Sequence, residues 1–162
     1  MLNRCYNPSM AIHIELEQMY DEQKKEILEK YDALGLDRHA AERVKRVKEL
    51  LPEIELDEVW NCHYVAYLLL ASEDKEDYKL AHDYAKKSVA KGSSISKWLF
   101  AATEDRILVS EGKKQKYGTQ FKRINGTWEL LPTDNTINDN ERAEYGVPPL
   151  SQALEKFLER NK

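Results

Sequence analysis

The sequence predicts a mainly α-helical fold, a tetratricopeptide-like antiparallel helical stack with a small C-terminal β-hairpin. Three observations carry this. Apolar residues recur at helical intervals through most of the chain up to Glu111, punctuated by Gly35, Pro52, the turn Asp74 to Asp77, Gly92 and Gly112. The third, fourth and fifth of these segments are each about four turns long, with short polar joints and small alanines at the crossings. After Gly112 the texture becomes β-branched and aromatic, and Asn125-Gly126 supplies the dipeptide of a type I′ hairpin turn, which needs positive φ at both central positions.

The elements follow in order. Pro8-Ser9 opens a first helix in which Ile12, Leu16, Met19, Tyr20, Ile27, Tyr31 and Leu34 form one face, and Gly35 ends it. Residues 1–36 are therefore read as an amphipathic arm, either packed on the domain or used for dimerisation through residues 10–34; Gln23 and Lys30 interrupt a clean heptad. Residues 37–162 are read as the helical-stack domain with its hairpin, a single globular unit. Asp37 is the expected cap of a second helix, which turns Ala40, Val44, Val47 and Leu50 inward and ends at Pro52. Asp57 opens the third helix, expected to run to Ala71, and Trp60, Val65, Leu68 and Leu69 cover so much of its circumference that it belongs at the centre of the core.

The fourth helix spans Tyr78 to Lys91, with Leu80, Ala81, Tyr84, Ala85 and Val89 on one face and lysines near its negative end. The fifth starts at Ser94 or Ser96 and stops before Gly112. Strands are expected over Lys116 to Ile124 and Thr127 to Leu131, with Tyr117, Phe121 and Trp128 packing on the helices, because an isolated hairpin is marginal in water. A polar loop from Thr133 to Asn140, a helical turn from Glu141 to Tyr145, the stiff Val147-Pro148-Pro149 link and a terminal helix capped by Ser151 complete the chain.

Composition narrows the function classes. With 162 residues, 33% charged and 41% hydrophobic, and only 6 Gly and 5 Pro, the chain has the profile of one ordered domain. A net charge of -4 argues against indiscriminate nucleic-acid binding by the whole surface. Cys5 and Cys62 lie far apart with no Cys-x-x-Cys partner, so neither zinc nor a disulfide is expected. The N-terminal region lacks the continuous apolar core of a secretion signal, and no apolar run approaches the ~20 residues of a membrane span, which points to the cytoplasm. No cofactor is expected: His-x-x-x-His and Glu-x-x-His pairs, a glycine-rich phosphate loop and a nucleophile elbow are all missing from the sequence.

Chemistry concentrates in DRILVSEGKKQKYGTQ, residues 105–120. Arg106 is a fork of donors suited to carboxylate or phosphate, and Gln115, Thr119 and Gln120 add neutral donors and acceptors beside it. Such a cluster either fastens the hairpin to the helices or lines a polar pocket under it. Between Glu111 and Arg123, Lys113, Lys114, Lys116, Lys122 and Arg123 face the single acid Glu111, a patch that attracts anions or guards a strand edge. His63 and His82 are the histidines placed to reach the end of the fifth helix, and a histidine beside Asp105 is the minimum for acid–base work.

The runs WLFAATEDRILVSEGKKQKYGTQ, TWELLPTD and NERAEYGVPPL resemble an uncharacterised bacterial family whose members carry DR, then G-x-x-Q-x-Y-G-T-Q, and later an ERA-like turn before V-P-P-L. The likeness extends upstream through EDYKLAHDYAKKSV and so covers about Asp57 to Leu150, leaving the first helix as a private feature of this chain or its near relatives. Family members carry a Gln-His pair near the end of the third helix, where Leu70-Ala71 stand here, which shifts attention to His82. The resemblance implies Asp105, Arg106, Gln115, Tyr117, Gly118, Thr119 and Gln120 as site residues, with His82 alongside; it implies no activity.

The expected function is a cytoplasmic interaction module holding a peptide or small polar ligand, in which Arg106 anchors an acidic group, Gln115 and Gln120 read amides, and Tyr117, Gly118 and Thr119 complete the site. The alternatives are a hydrolase or transferase with His82 as base, Asp105 orienting it and Arg106 stabilising negative charge, and nucleic-acid binding through the basic hairpin with Tyr117 or Phe121 as a stacking surface.

Overall fold

The computed structural model describes residues 12–29 and 39–160. It is mainly helical, with one small antiparallel sheet. The helices are α1 (Ile14–Glu29), α2 (Ala40–Leu50), α3 (Val59–Leu69), α4 (Lys75–Ala90) and α5 (Ser96–Ser110); β1 (Phe121–Ile124) and β2 (Thr127–Leu130) follow, then α6 (Asp139–Glu144) and α7 (Ala153–Arg160). The start of the first helix, its stop at Gly35 and the Asp37 cap lie outside the described residues.

α3 is central because it has no polar face. Eight of its eleven residues are buried, including Leu68 and Leu69. α1 and α2 cover one side of it and α4 the other, with α5 beyond α4. Side-chain contacts fix the directions. Ser88 near the end of α4 donates to the carbonyl of Val59 at the start of α3 (3.0 Å), so these two are antiparallel. Along α4 and α5, Ser88 meets Ser96, His82 meets Thr103 and Tyr78 meets Arg106, which is also an antiparallel zipper. α1 instead runs parallel to α3: the His13 amide donates to Asn61 Oδ1 (2.8 Å), the Tyr64 hydroxyl to Glu17 (3.2 Å), and Tyr20 meets His63 and Tyr67 edge-on. α1 buries Leu16 and Met19 in the same cluster as Val44, Val47, Leu50, Val65, Leu68, Leu69 and Leu99. Each such aliphatic side chain contributes about 1.5–3 kcal/mol through its removal from water.

A buried polar cluster ties three helices together at one end. Ser96 Oγ lies 2.8 Å from His63 Nδ1, 2.8 Å from Ser88 Oγ and 2.9 Å from Ser93 Oγ. Counting protons orients it. Ser88 donates to Val59, so Ser96 must donate to Ser88, and His63 Nδ1–H and the Ser93 hydroxyl then both donate to Ser96. Burial pushes the His63 pKa down to about 4. The Ser–His spacing is that of a nucleophile pair, but Ser96 is fully buried and no substrate reaches it.

Several expected boundaries move, each for a local reason. α3 is capped by Glu58, whose carboxylate accepts from the Trp60 amide, and not by Asp57. α4 begins a turn earlier than Tyr78 because Asp74 caps it by accepting from the Glu76 amide. Pro52 sits inside a short 3-10 turn, Leu51–Glu53, where its missing N–H leaves no gap. Ser151 lies within a second 3-10 turn, Leu150–Gln152, and α7 starts after it. Asn138 and Glu141 form a capping box that starts α6 inside the expected loop. β1 begins only at Phe121, because residues 116–120 fold around a buried carboxylate. The turn itself is as expected, with Asn125 at φ 50° and Gly126 at φ 85°. Phe121 and Trp128 pack on Phe157 of α7, so the hairpin's apolar side rests on the terminal helix.

Candidate functional site

The buried carboxylate is Asp105. Its Oδ1 accepts from the amides of Lys116 (2.7 Å) and Tyr117 (2.8 Å), and its Oδ2 from the amide (3.0 Å) and hydroxyl (2.8 Å) of Thr119. Full burial and four donors make it the organiser of the loop after α5. Gln115, also fully buried, is the second fastener. Its Nε2 donates to the carbonyls of Gln120 (3.0 Å) and Leu131 (2.7 Å), and its Oε1 accepts from the Gln120 amide (2.8 Å). The expectation that Gln115 reads a ligand's amides is therefore corrected: it reads the backbone of its own chain, which a buried amide must do to be satisfied. Gln120 donates to the Ala102 carbonyl and to Thr119 Oγ1, so its amide nitrogen is likewise turned inward.

Gly118 is at φ 88°, and a Cβ there would meet Leu150 Cδ1 at 2.9 Å. It lets the loop turn around Asp105. Tyr117 is buried between Ala101, Val147 and Tyr145. Arg142, also buried, donates from Nε to the Tyr117 carbonyl (3.1 Å) and from Nη1 to Asp139 (2.9 Å). Of the ligand-binding set read from the sequence, then, Gln115, Tyr117, Gly118 and Thr119 converge on the Asp105 loop as its frame.

Arg106 leaves α5 in another direction. Its Nη2 donates to the Ser72 carbonyl (3.3 Å) and its guanidinium lies 5.0 Å from the Tyr78 ring centroid. His82 bonds neither residue of the Asp105-Arg106 pair. Its Nδ1 faces Thr103 Oγ1 at 3.0 Å, and since that hydroxyl is within reach of the Leu99 and Phe100 carbonyls, the imidazole is the donor. The triad in which Asp105 orients His82 is thus not formed, because Asp105 is enclosed by the 116–119 loop. His63 lies at the opposite end of α5, on Ser96.

A different constellation lies around His82. Its ring is 4.6 Å from Phe100, Phe100 stacks on Tyr145 at 5.4 Å with 21° between planes, and Tyr145 meets Tyr117 at 5.0 Å. Glu104, one turn beyond Phe100 on α5, pairs with Lys116 Nζ at 3.3 Å, and that ammonium also sits 5.0 Å from the Tyr117 centroid. Burial, then the Glu104 charge, raises the Tyr117 pKa above the ordinary phenol value. Burial lowers the His82 pKa, while Glu104 and Asp83 act in the opposite sense. With Nδ1–H committed to Thr103, Nε2 is an acceptor, and no described residue bonds it.

Sequence reading missed Phe100, Glu104 and Tyr145. The available signal was the i, i+4 spacing of Phe100 and Glu104, which puts both on one stripe of α5. On the basic segment, Lys113 pairs with Glu111 and Lys116 with Glu104, so part of its charge is neutralised locally. Among the described residues no cluster of three or more His, Cys, Asp or Glu side chains is placed to hold a metal, and no helix is long and apolar enough to cross a membrane.

A helical body whose last long helix carries a hairpin on a buried carboxylate, with a half-buried aromatic and acceptor-rich face beside it, defines a mainly α-helical domain of unassigned activity. The chain belongs to a family of unknown function, DUF6624, whose model matches residues 9–161. That match takes in the first helix, so α1 is part of the family's common plan and not a private addition. No curated protein and no solved structure matches the chain.

Proposed function

We propose that this protein is a cytoplasmic interaction module, with a tetratricopeptide-like stack as scaffold, that holds a peptide or small polar ligand on the face formed by α4, α5 and α6. The observation that carries this reading is the row His82, Phe100, Tyr145. All three rings are partly exposed, they touch one another in sequence, and the row ends in an imidazole whose Nε2 has no partner among the described residues. Aromatic side chains present large contact area at low entropic cost, and a fixed acceptor beside them orients a polar ligand. The surrounding frame is rigid because Asp105, Gln115 and Arg142 saturate the backbone behind it.

The test is an amide NMR titration of the full chain with capped amino acids of different charge, one at a time, at millimolar concentration. Saturable shifts confined to the Phe100, Glu104 and Tyr145 region, reduced at least fivefold in affinity by Phe100→Ala with the remaining spectrum preserved, are the expected result. If no probe perturbs that face, the reading is wrong.

A further inference from the structure

We infer that this face is built for an organic ammonium, and that Lys116 is its tethered internal occupant; the inference rests on the reading of the α4–α5–α6 face as the binding surface. Most of the groups gathered there are of one kind, with the Lys86 ammonium on α4 as the opposing charge felt by His82. Glu104 supplies a carboxylate, His82 an unprotonated Nε2, and Phe100 and Tyr145 ring faces. All of these attract a cation: carboxylate and imidazole nitrogen accept N–H donors, and ring faces carry the negative part of the aromatic quadrupole.

The Lys116 ammonium shows how the site uses them. Lys116 Nζ is held between the Glu104 carboxylate at 3.3 Å and the Tyr117 ring at 5.0 Å, the two contacts that an alkylammonium ligand would seek. Its hold on Glu104 is a single 3.3 Å contact between side chains 31% and 28% exposed, partly open to solvent, so a competing ammonium can reach it. Lys116 is anchored through its amide to Asp105, so releasing its side chain leaves the loop in place. The chain thereby carries a displaceable competitor: a lysine-type or quaternary ammonium takes the Glu104 position, lies along Phe100 and Tyr145, and directs any further N–H toward His82 Nε2.

The experiment compares N-acetyl-lysine methylamide, N-acetyl-glutamate methylamide and N-acetyl-alanine methylamide by amide NMR at fixed ionic strength, on the wild-type chain and on Lys116→Met and Glu104→Gln. The expected result is binding of the lysine probe at Phe100, Glu104 and Tyr145, tightened about fivefold in Lys116→Met and lost in Glu104→Gln while the spectrum elsewhere stays native. If the glutamate or alanine probe binds that face as well as the lysine probe does, or if Lys116→Met leaves the affinity for the lysine probe unchanged, the ammonium inference fails and the binding surface stands. Silence of all three probes on all three proteins removes both.

Discussion

Asp105→Asn tests the claim that one carboxylate assembles the region after α5. The side chain accepts four hydrogen bonds, three from backbone amides, at 2.7 to 3.0 Å in a fully buried position. Asparagine keeps the shape but has one accepting oxygen. With that oxygen toward Lys116 and Tyr117, its NH2 faces Thr119, whose hydroxyl can rotate to accept but whose amide cannot. One buried donor is then left opposed, at about 1–3 kcal/mol, and the two surviving bonds lose the charge that made them stronger, at about 1 kcal/mol each. The relief of burying a neutral group offsets part of this, so a net loss of about 3 kcal/mol is expected, which for a chain of this size lowers Tm by about 6–12 °C. Thermal unfolding followed by circular dichroism measures it, and hydrogen exchange should show lost protection first at the Thr119 amide. A variant that melts within about 2 °C of wild type, with the Tyr117 and Thr119 amides still protected, would refute the assignment of Asp105 as organiser.

Other outcomes follow from the same contacts. His63 has its pKa pushed from 6.5 to about 4 by burial, so the unfolded chain binds the proton first and its neutral-state stability is present above pH 6.5 and lost as pH falls from there toward 4. The loss reaches roughly 3 kcal/mol at pH 4 and is about half that midway; urea unfolding of wild type against His63→Gln should show this extra pH dependence only in wild type, and parallel curves would disprove it. Gly118→Ala forces a side chain into positive φ against Leu150 and should destabilise by about 1–2 kcal/mol, a loss that trimming Leu150 relieves only in part; an unchanged urea midpoint contradicts the loop geometry. Gln115→Leu keeps the volume but strands the Gln120 amide and the Leu131 carbonyl, the Gln120 carbonyl keeping the Leu131 amide, and is expected to lose about 2–4 kcal/mol with the hairpin cross-peaks broadened first; a native-like hairpin would show those bonds are dispensable.

Local punctuation was legible in the sequence and rotation about helix axes was not. Asn125-Gly126 dictates its turn, and Gly112, Pro52 and the apolar wrap of α3 place their elements, because each acts through its own backbone or its own burial. The site depended on which member of the run Glu104-Asp105-Arg106 faces which neighbour. Successive residues point about 100° apart on a helix, so a small change in how α5 lies on α4 decides which carboxylate is enclosed and which is left in the open. Asp105 went to the loop, Arg106 to Ser72, and Glu104 to the face that His82 and Tyr145 share. Tyr145 lies about forty residues beyond Glu104, and contacts of Ile137, Arg142 and Val147 around α6 bring it back. The polar stretch after Gly112 was visible as a cluster, but whether its amides turned inward or outward was a matter of tertiary hydrogen bonding that composition does not encode.

The spacing of these contacts along the chain also orders how the molecule comes together. Asp105 gathers its donors from 11 to 14 positions away, and α4 meets α5 through bonds 8 and 21 positions apart. α1 reaches α3 across separations of 43 to 48 and α2 across 31 through the Arg46–Glu15 pair. Closing the longer loops costs about 1 kcal/mol more entropy than closing the shorter ones, and α1 brings only one face to the core. The N-terminal helix is accordingly expected to dock last and to detach first under denaturant, uncovering the tyrosine-rich side of α3 while the hairpin end keeps its form, an order that amide exchange of α1 against the hairpin would check.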